Sequence, residues 1–339
     1  MNSPMPRIRI PCHAEQEANV RAAIRKGQLV HGPQLELLER KLAELFGKKH
    51  VVLTANGFSA LFLALRAMKA TGGEVLTASV STCCAVVNAI RAAGGRPVFS
   101  DVESHTASMD LPGPGRSAVA AIVPDHFGIL ASACKAPRPE GGRFIEDAAQ
   151  AFHSRARNRS GADVLVLSFY PTKWANGIDG GAILTDNAAF GGECRRLCAY
   201  SDQRGWEEEV RYNLRMNNVN AAMALGSLAH LDEEADRLAA IFNILAAALR
   251  GKGLAFLAPG AGEIAARMVV ADPERERLEA HFRRKEIATS RELMFVCPES
   301  ALGAYPVARR LVATTFSLPF HPLLQEQEID RMEKAICSL

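Results

Sequence analysis

Between about residue 50 and residue 200 the chain repeats one pattern: a short apolar run, then an alanine-rich stretch with helical spacing. Seven runs read as strands: VVLTA (51–55), EVLTA (74–78), RPVFS (96–100), AVAAIVP (118–124), RFIED (143–147), DVLVLSF (163–169) and AILTD (182–186). Between several of them lie helical stretches such as FSALFLALRAMKA and CAVVNAIRAAG. Strands without polar alternation have to be covered on both faces, and intervening helices are what covers them. The pattern predicts an α/β fold in which a mostly parallel seven-stranded sheet is sandwiched by helices. LPGPGRS (111–117) and APRPEGGR (136–143) read as loops through their Pro/Gly chemistry.

After about residue 230 the texture changes. LDEEADRLAAIFNILAAALRG reads as a long amphipathic helix closed by Gly251. A strand-like ARMVVAD, a helix begun at Asp272-Pro273, a strand-like VATTFSLPF and a final helix ending near Leu339 follow. The division predicted is a large domain over 1–230 and a smaller C-terminal α+β domain over 231–339, with the N-terminal segment free to pack on the smaller one. The charged run ERERLEAHFRRK is read as a solvated helix face.

A net charge of +3 over 339 residues gives no basic footprint for nucleic acid or an anionic membrane. No apolar run approaches the roughly 18 residues that span a bilayer; Arg66 interrupts the best candidate. The N-terminus MNSPMPRIRIPCHAEQ lacks a signal-peptide apolar core, so a cytoplasmic protein is expected. Eight cysteines without framework spacing, Cys83-Cys84 adjacent and Cys194 and Cys198 one helical turn apart, read as reduced thiols. No cysteine pair is accompanied by histidines at ligand spacing, so no metal is expected.

The chemistry gathers around SFYPTKWANGIDGGAILTD (168–186), where Lys173 follows a strand in an apolar neighbourhood and precedes Gly180-Gly181. Lysine is seldom buried without a partner. Ligands of an open parallel sheet sit at the carboxyl ends of its strands, and polar groups cluster at those ends here. RFIEDAAQ ends a strand with Glu146-Asp147 and places Gln150 a turn later. VVLTANGFSALFLAL runs through Asn56-Gly57 into a helix whose first turn offers backbone N–H groups and Ser59, a natural anion site. Ser168 ends the strand before Lys173. An anion cradle, a carboxylate, an amide and a lysine are what pyridoxal phosphate asks for: donors for its phosphate, an ion-paired carboxylate for its ring nitrogen, and an amine to form a Schiff base with its aldehyde. Each piece alone also has a bland reading. Asp147 reads as a helix N-cap, Gly57-Phe58-Ser59 as helix-start chemistry, and Lys173 as a snorkelling surface lysine. The conjunction, in this order on successive strands, favours the cofactor.

The chain resembles the DegT/DnrJ/StrS family of fold-type-I pyridoxal-phosphate sugar aminotransferases. The similarity runs from GQLVHGPQLELLERKLAELFG through ANGFSALFLAL, GGRPVFSDV, EDAAQAF and SFYPTKWANGIDGGAILTD to RYNLRMNNVNAAMALGSLAHLDE and FSLPFHPLLQEQEIDRM. The resemblance implies that Lys173 holds the cofactor and moves a proton between the substrate carbon and the cofactor C4′. It implies that Asp147 pairs with the ring nitrogen, that Gln150 bonds the ring O3′, and that Ser168 and the Gly57 region take the phosphate. Asn213 resembles an asparagine that reaches a phosphate across a dimer interface, which implies a homodimer with shared sites; on its own it also reads as a cap before NNVNAAMA. His126 matches a family histidine near the substrate, and equally reads as a satisfied strand-end histidine. A glutamate or glutamine donor and a nucleotide-linked keto-sugar, cyclitol ketone or other carbocyclic acceptor are implied, and the retained lysine argues against the family's dehydratase branch.

Two cofactor-contacting positions depart from the family. Phe58 stands where a hydroxyl residue usually follows the glycine, with Ser59 as the replacement donor. Cys83 stands where an aromatic ring usually covers the cofactor face, a loss worth on the order of 1 kcal/mol. His153 stands where a glycine is common. Phe58 and Cys83 motivate a second reading, a non-catalytic relative acting as a binding or regulatory protein. A nucleotide-dependent oxidoreductase or kinase would need G-x-G-x-x-G or a P-loop, and the sequence has neither.

Overall fold

The computed structural model describes residues 5–111, 117–132, 142–158, 160–200 and 210–339 of the chain. The 111–117 and 136–143 loops lie largely outside the described residues. In chain order the elements are α1 (Ala14–Arg25), α2 (Pro33–Phe46), β1 (His50–Thr54), α3 (Gly57–Ala67), β2 (Glu74–Ala78), β3 (Val80–Ser81), α4 (Ala85–Ala92), β4 (Arg96–Ser100), β5 (Ala120–Pro124) and β6 (Arg143–Asp147). There follow α5 (Phe152–Arg157), β7 (Val164–Ser168), β8 (Gly181–Thr185), α6 (Ala188–Cys198), α7 (Asn218–Leu228), α8 (Leu231–Gly251), β9 (Ala255–Phe256) and β10 (Met268–Ala271). The chain closes with α9 (Arg275–Arg284), β11 (Met294–Phe295), α10 (Pro306–Thr314), β12 (Thr315–Leu318) and α11 (Glu326–Cys337).

All seven expected strands form one sheet in the order β1-β8-β7-β6-β5-β2-β4. β2, β4, β5, β6 and β7 are parallel, and β8 runs against both of its neighbours. The apolar runs are explained by double coverage. On β7, Val164 and Val166 pack into one core with α3 and α6, while Leu165 and Leu167 pack into the other with α2, α7 and α8. Each such side chain contributes about 1.5–3 kcal/mol on burial.

Helix ends follow local chemistry. Pro33 opens α2 behind Gly32, and Gly47 at φ 62° closes it in the left-handed conformation that glycine tolerates. α8 covers the stretch expected, but Gly251 is its last helical residue and the left-handed turn falls at Gly253, φ 68°. The strand-like VATTFSLPF is divided: Val312–Thr314 finish α10, and only Thr315–Leu318 pair, with β10. The β-branched run is overruled there by a helix that Pro306 starts. α9 presents its charges outward and buries Leu278 and Phe282, with Glu279 held by Arg291 at 2.7 Å.

The N-terminal segment ties the two ends of the chain together. Met5 bridges Ile287, Arg7 pairs with Glu292 at 2.7 Å, and Arg9 grips Glu328 with two hydrogen bonds. The apolar core on the α2 side runs without a break into the C-terminal residues Leu245, Phe282, Phe316 and Ile336. β11 reaches back to pair with β3, beside the carboxyl end of β2.

Candidate active site

Strand register assembles the site. Thr54 at the end of β1 lies opposite Gly181, and Gly181 lies opposite Ser168 at the end of β7. The turn after β1 therefore meets the turn after β7. Asn56 caps α3 by accepting the Ser59 N–H at 2.9 Å, and a Cβ on Gly57 would stand 3.0 Å from the Ser168 Cβ and 3.3 Å from its Oγ. A Cβ on Gly181 would overlap the Asn56 carbonyl at 2.5 Å. Two glycines thus let the helix start touch both strands.

The cradle differs in detail from expectation. The Ser59 hydroxyl is buried and donates to Asn56 Oδ1 at 2.8 Å, so it serves the cap and does not replace the displaced hydroxyl. What remains is the first-turn N–H of Gly57 and of Phe58, with no acceptor among the described residues, and the Ser168 hydroxyl. The Ser168 Oγ accepts the Tyr170 N–H at 3.4 Å, leaving its own proton to donate. The Phe58 ring lies parallel to Phe62, one helical turn on, at 6.4 Å.

Lys173 sits in the loop between β7 and β8. That loop is fixed by Phe169 N–H to Gly180 O (2.9 Å), Gly177 N–H to Phe169 O (2.8 Å) and Lys173 N–H to Tyr170 O (2.8 Å). The Lys173 ammonium has no ion pair among the described residues; burial, then the Arg267 charge, lowers its pKa, opposed by Asp147 and Cys83. It is not a snorkelling lysine. Asp147, at the end of β6, is raised by burial, opposed by the Ala149 N–H it accepts at 3.1 Å and by Lys173. It closes a turn to Ala149 and does not cap α5, whose N-cap is Ala151. The structure thus puts Asp147 and Cys83 each within electrostatic reach of Lys173.

Gln150 is held from both ends. Its Oε1 accepts the Phe127 N–H at 3.0 Å, its Nε2 donates to Thr82 Oγ at 2.5 Å, and its carbonyl accepts the Trp174 indole N–H at 3.1 Å. One amide N–H is left without a partner among the described residues. His126, buried after β5, has a pKa pushed down to about 4 by burial and then by Lys173, so it is neutral near pH 7. Its Nε2 has no hydrogen-bond partner among the described residues, while the ring is held through a hydrogen bond with the Val80 backbone. His126 is therefore only half satisfied as a strand-end histidine. Beneath it, Arg155 pairs with both Asp125 and Glu146, anchoring the residues next to His126 and Asp147.

Cys83 is exposed, two residues past β3. His153 is buried with its ring 5.5 Å from Trp174. Asn213 is exposed, in a stretch fastened beside the end of β1 by Tyr212 N–H to Leu197 O (2.9 Å) and Ala55 N–H to Leu214 O (2.6 Å). The cap of α7 is Asn217, which accepts the Asn220 N–H at 2.8 Å, so Asn213 has no capping role.

A cleft on the C-terminal side of Lys173 adds residues that the sequence reading missed. Lys173, Gln150, Trp174, Arg267, His321 and Arg9 line it. Trp174 had a signal, being next to the lysine; Arg267, a lone cation opening an apolar run, had a weak one. The positions fit pyridoxal phosphate on the cofactor side: the Gly57–Ser168 cradle, which one methyl group would crowd, a desolvated carboxylate, and a desolvated amine within its electrostatic reach. Among the described residues no group of three His, Cys, Asp or Glu side chains could hold a metal, and no helix is long and apolar enough to cross a membrane.

The family described as DegT/DnrJ/EryC1/StrS aminotransferases matches residues 12–337. This chain belongs to that family. The spore coat polysaccharide biosynthesis protein SpsC of Bacillus subtilis is 31% identical over 242 residues, covering 65% of this chain and 62% of SpsC. The UDP-2-acetamido-2-deoxy-3-oxo-D-glucuronate aminotransferase of Pseudomonas aeruginosa is 26% identical over 95% of this chain and 94% of its own. The crystal structure of DesV from S. venezuelae, in complex with a ketimine intermediate, superposes with a TM-score of 0.81 at 25% identity, covering 96% of this chain and 94% of that one. As a family member the chain is an aminotransferase, and its sheet is that of its structural neighbours.

Proposed function

We propose that the protein transfers an amino group from glutamate or glutamine to a nucleotide-linked keto-sugar or a related cyclic ketone, with pyridoxal phosphate bound at Lys173. The observation that carries this reading is Lys173 itself: a half-buried side chain whose desolvated amine has no ion pair among the described residues and a lowered pKa, within electrostatic reach of the desolvated Asp147 carboxylate. Pyridoxal phosphate, when bound, supplies a protonated pyridine ring that accepts the electron pair left on the carbon next to the amine. Asp147 holds the proton on the ring nitrogen, which is where its costly burial as a carboxylate is compensated. The first turn of α3 and the Ser168 hydroxyl hold the phosphate. Lys173 Nζ, disposed to be neutral, takes the α-proton of the donor and later returns a proton to the acceptor carbon. Neutral His126 Nε2 remains as a hydrogen-bond partner for substrate.

Sugar-nucleotide acceptors follow from the relatives' names, among them the UDP-linked 3-oxo-glucuronate enzyme. A homodimer is supported by exposed Ile24, Phe58, Tyr170 and Ile178, large apolar side chains of which two lie in the lysine loop and one in the first turn of α3, and by the exposure of Asn213. We place the enzyme in the cytoplasm, where glutamate and sugar nucleotides occur. A catalytic role is favoured over a binding or regulatory one because a desolvated lysine costs stability that simple binding does not require. The test is to add L-glutamate and L-glutamine in turn to the pyridoxal-phosphate form. Conversion to the pyridoxamine form with release of the 2-oxo acid is expected; no conversion by any amino acid would sink the reading.

A further inference from the structure

The cleft beside Lys173 has an imbalance of charge. Of its other charged side chains, Arg9 is committed to Glu328 and Glu234 to His13, at 2.5–2.7 Å and 2.6 Å. Arg267 has no such partner among the described residues. Its one hydrogen bond among the described residues runs from Nη1 to the adjacent Ala266 carbonyl at 2.6 Å. The nearest carboxylate influence on it is Glu292, which is itself taken by Arg7 at 2.7 Å and by the Ser317 hydroxyl at 2.7 Å. Two cations, Lys173 and Arg267, therefore share a cleft whose one lining carboxylate, Glu234, is taken up by His13, an arrangement that is costly unless a ligand supplies an anion.

The backbone fixes Arg267 there. Ala266 N–H donates to the Phe127 carbonyl at 2.6 Å, and Phe127 N–H donates to Gln150 Oε1 at 3.0 Å. Phe127 takes φ 61°, a strained value for an aromatic residue. Gly128, at φ 85°, lets the strands of chain meet, since a Cβ there would stand 2.2 Å from the Ile264 carbonyl. The segment carrying Arg267 is thus hung from the same residues that orient Gln150 and follow His126. Lys173 lines this cleft, whereas Asp147, Ser168 and Gly57, the groups assigned to the cofactor, do not.

We propose that Arg267 is the carboxylate-binding residue for the amino-acid donor, pairing through its guanidinium with the donor's α-carboxylate in the cleft next to Lys173. The inference rests on the aminotransferase reading and adds to it a specificity-determining residue. Arginine suits a carboxylate because its planar fork donates two parallel hydrogen bonds, and the amine that reacts is one carbon from that carboxylate. The same guanidinium chemistry fits a carboxylate on the acceptor, such as that of a hexuronate.

The experiment separates these sources. L-Glutamate is titrated into the pyridoxal-phosphate form of the wild type, Arg267→Gln and Arg267→Lys, and formation of the pyridoxamine form is followed by absorbance. Arg267→Gln should raise the half-saturating glutamate concentration roughly 10- to 100-fold, with Arg267→Lys recovering part of the loss. In parallel, maleate and UDP-glucuronate are tested for thermal stabilisation of the cofactor-free proteins, a readout that needs no turnover. Maleate should stabilise the wild type and not Arg267→Gln. Unchanged glutamate saturation in Arg267→Gln overturns the proposal, and loss of UDP-glucuronate binding alone assigns Arg267 to the acceptor instead. If wild type is not converted by glutamate yet binds maleate through Arg267, the aminotransferase reading fails while carboxylate binding at Arg267 stands. Should Arg267→Gln fail to fold, Arg267→Lys decides: donor saturation unaltered by loss of the fork contradicts the proposal.

Discussion

At the scale of single residues, the site holds groups that the protein alone leaves under-compensated. Asp147 is the clearest. Burial raises its pKa above the ordinary 3.8, so the folded cofactor-free protein binds that proton more tightly than the unfolded chain does. The associated stability is present below the ordinary carboxylate range and is lost as pH rises through the raised value. Asp147→Asn removes the charge at nearly constant shape. We expect the cofactor-free variant to match wild type in urea denaturation near pH 3.5 and to exceed it at pH 8, while transamination falls at least about a hundredfold. Equal stability at pH 8 would contradict the burial argument. Lys173, Asp147, Gln150 and Ser168 were legible in the sequence because strand-end chemistry in an open sheet is local. Ser59 misled because the cap role of Asn56, three residues upstream, claims its hydroxyl. Arg267 was nearly invisible, since only the contact between residues 127–128 and 264–266 brings it to the lysine.

At the scale of elements, glycines control how closely the helix start and strand ends approach. Gly57→Ala places a methyl group 3.0 Å from the Ser168 Cβ, tighter than ordinary contact. Because φ there is helical and not left-handed, α3 itself tolerates alanine, which is the better helix former. The expected result is a weakened affinity for pyridoxal phosphate, by about tenfold, with unfolding midpoints of the cofactor-free protein little changed; equilibrium titration of cofactor fluorescence measures it. The central strands could be read from sequence because burial on both faces leaves an uninterrupted apolar run. β3 and β11 could not, since two-residue strands carry no periodicity. VATTFSLPF was half misread because β-branched residues also complete helices when tertiary packing demands it.

At the scale of the molecule, an unbroken core joins the C-terminal elements to the α2 face of the sheet, and the N-terminal segment straps across both. That makes the cleft beside Lys173 a product of the whole chain. Tyr170 and Ile178 are exposed in the lysine loop, and in the proposed homodimer a second copy would cover them. Sedimentation should give a dimer. Asn213→Ala should weaken pyridoxal phosphate binding without dissociating it, if Asn213 completes the partner's phosphate site; a monomer with full cofactor affinity would contradict shared sites.

The account turns on which amine carries the cofactor. The protein is incubated with pyridoxal phosphate, reduced with borohydride, digested, and the modified peptide sequenced by mass spectrometry. The expected product is a single phosphopyridoxyl group on Lys173. Stoichiometric label on any other lysine, or no label at saturating cofactor, would contradict the assignment of this site.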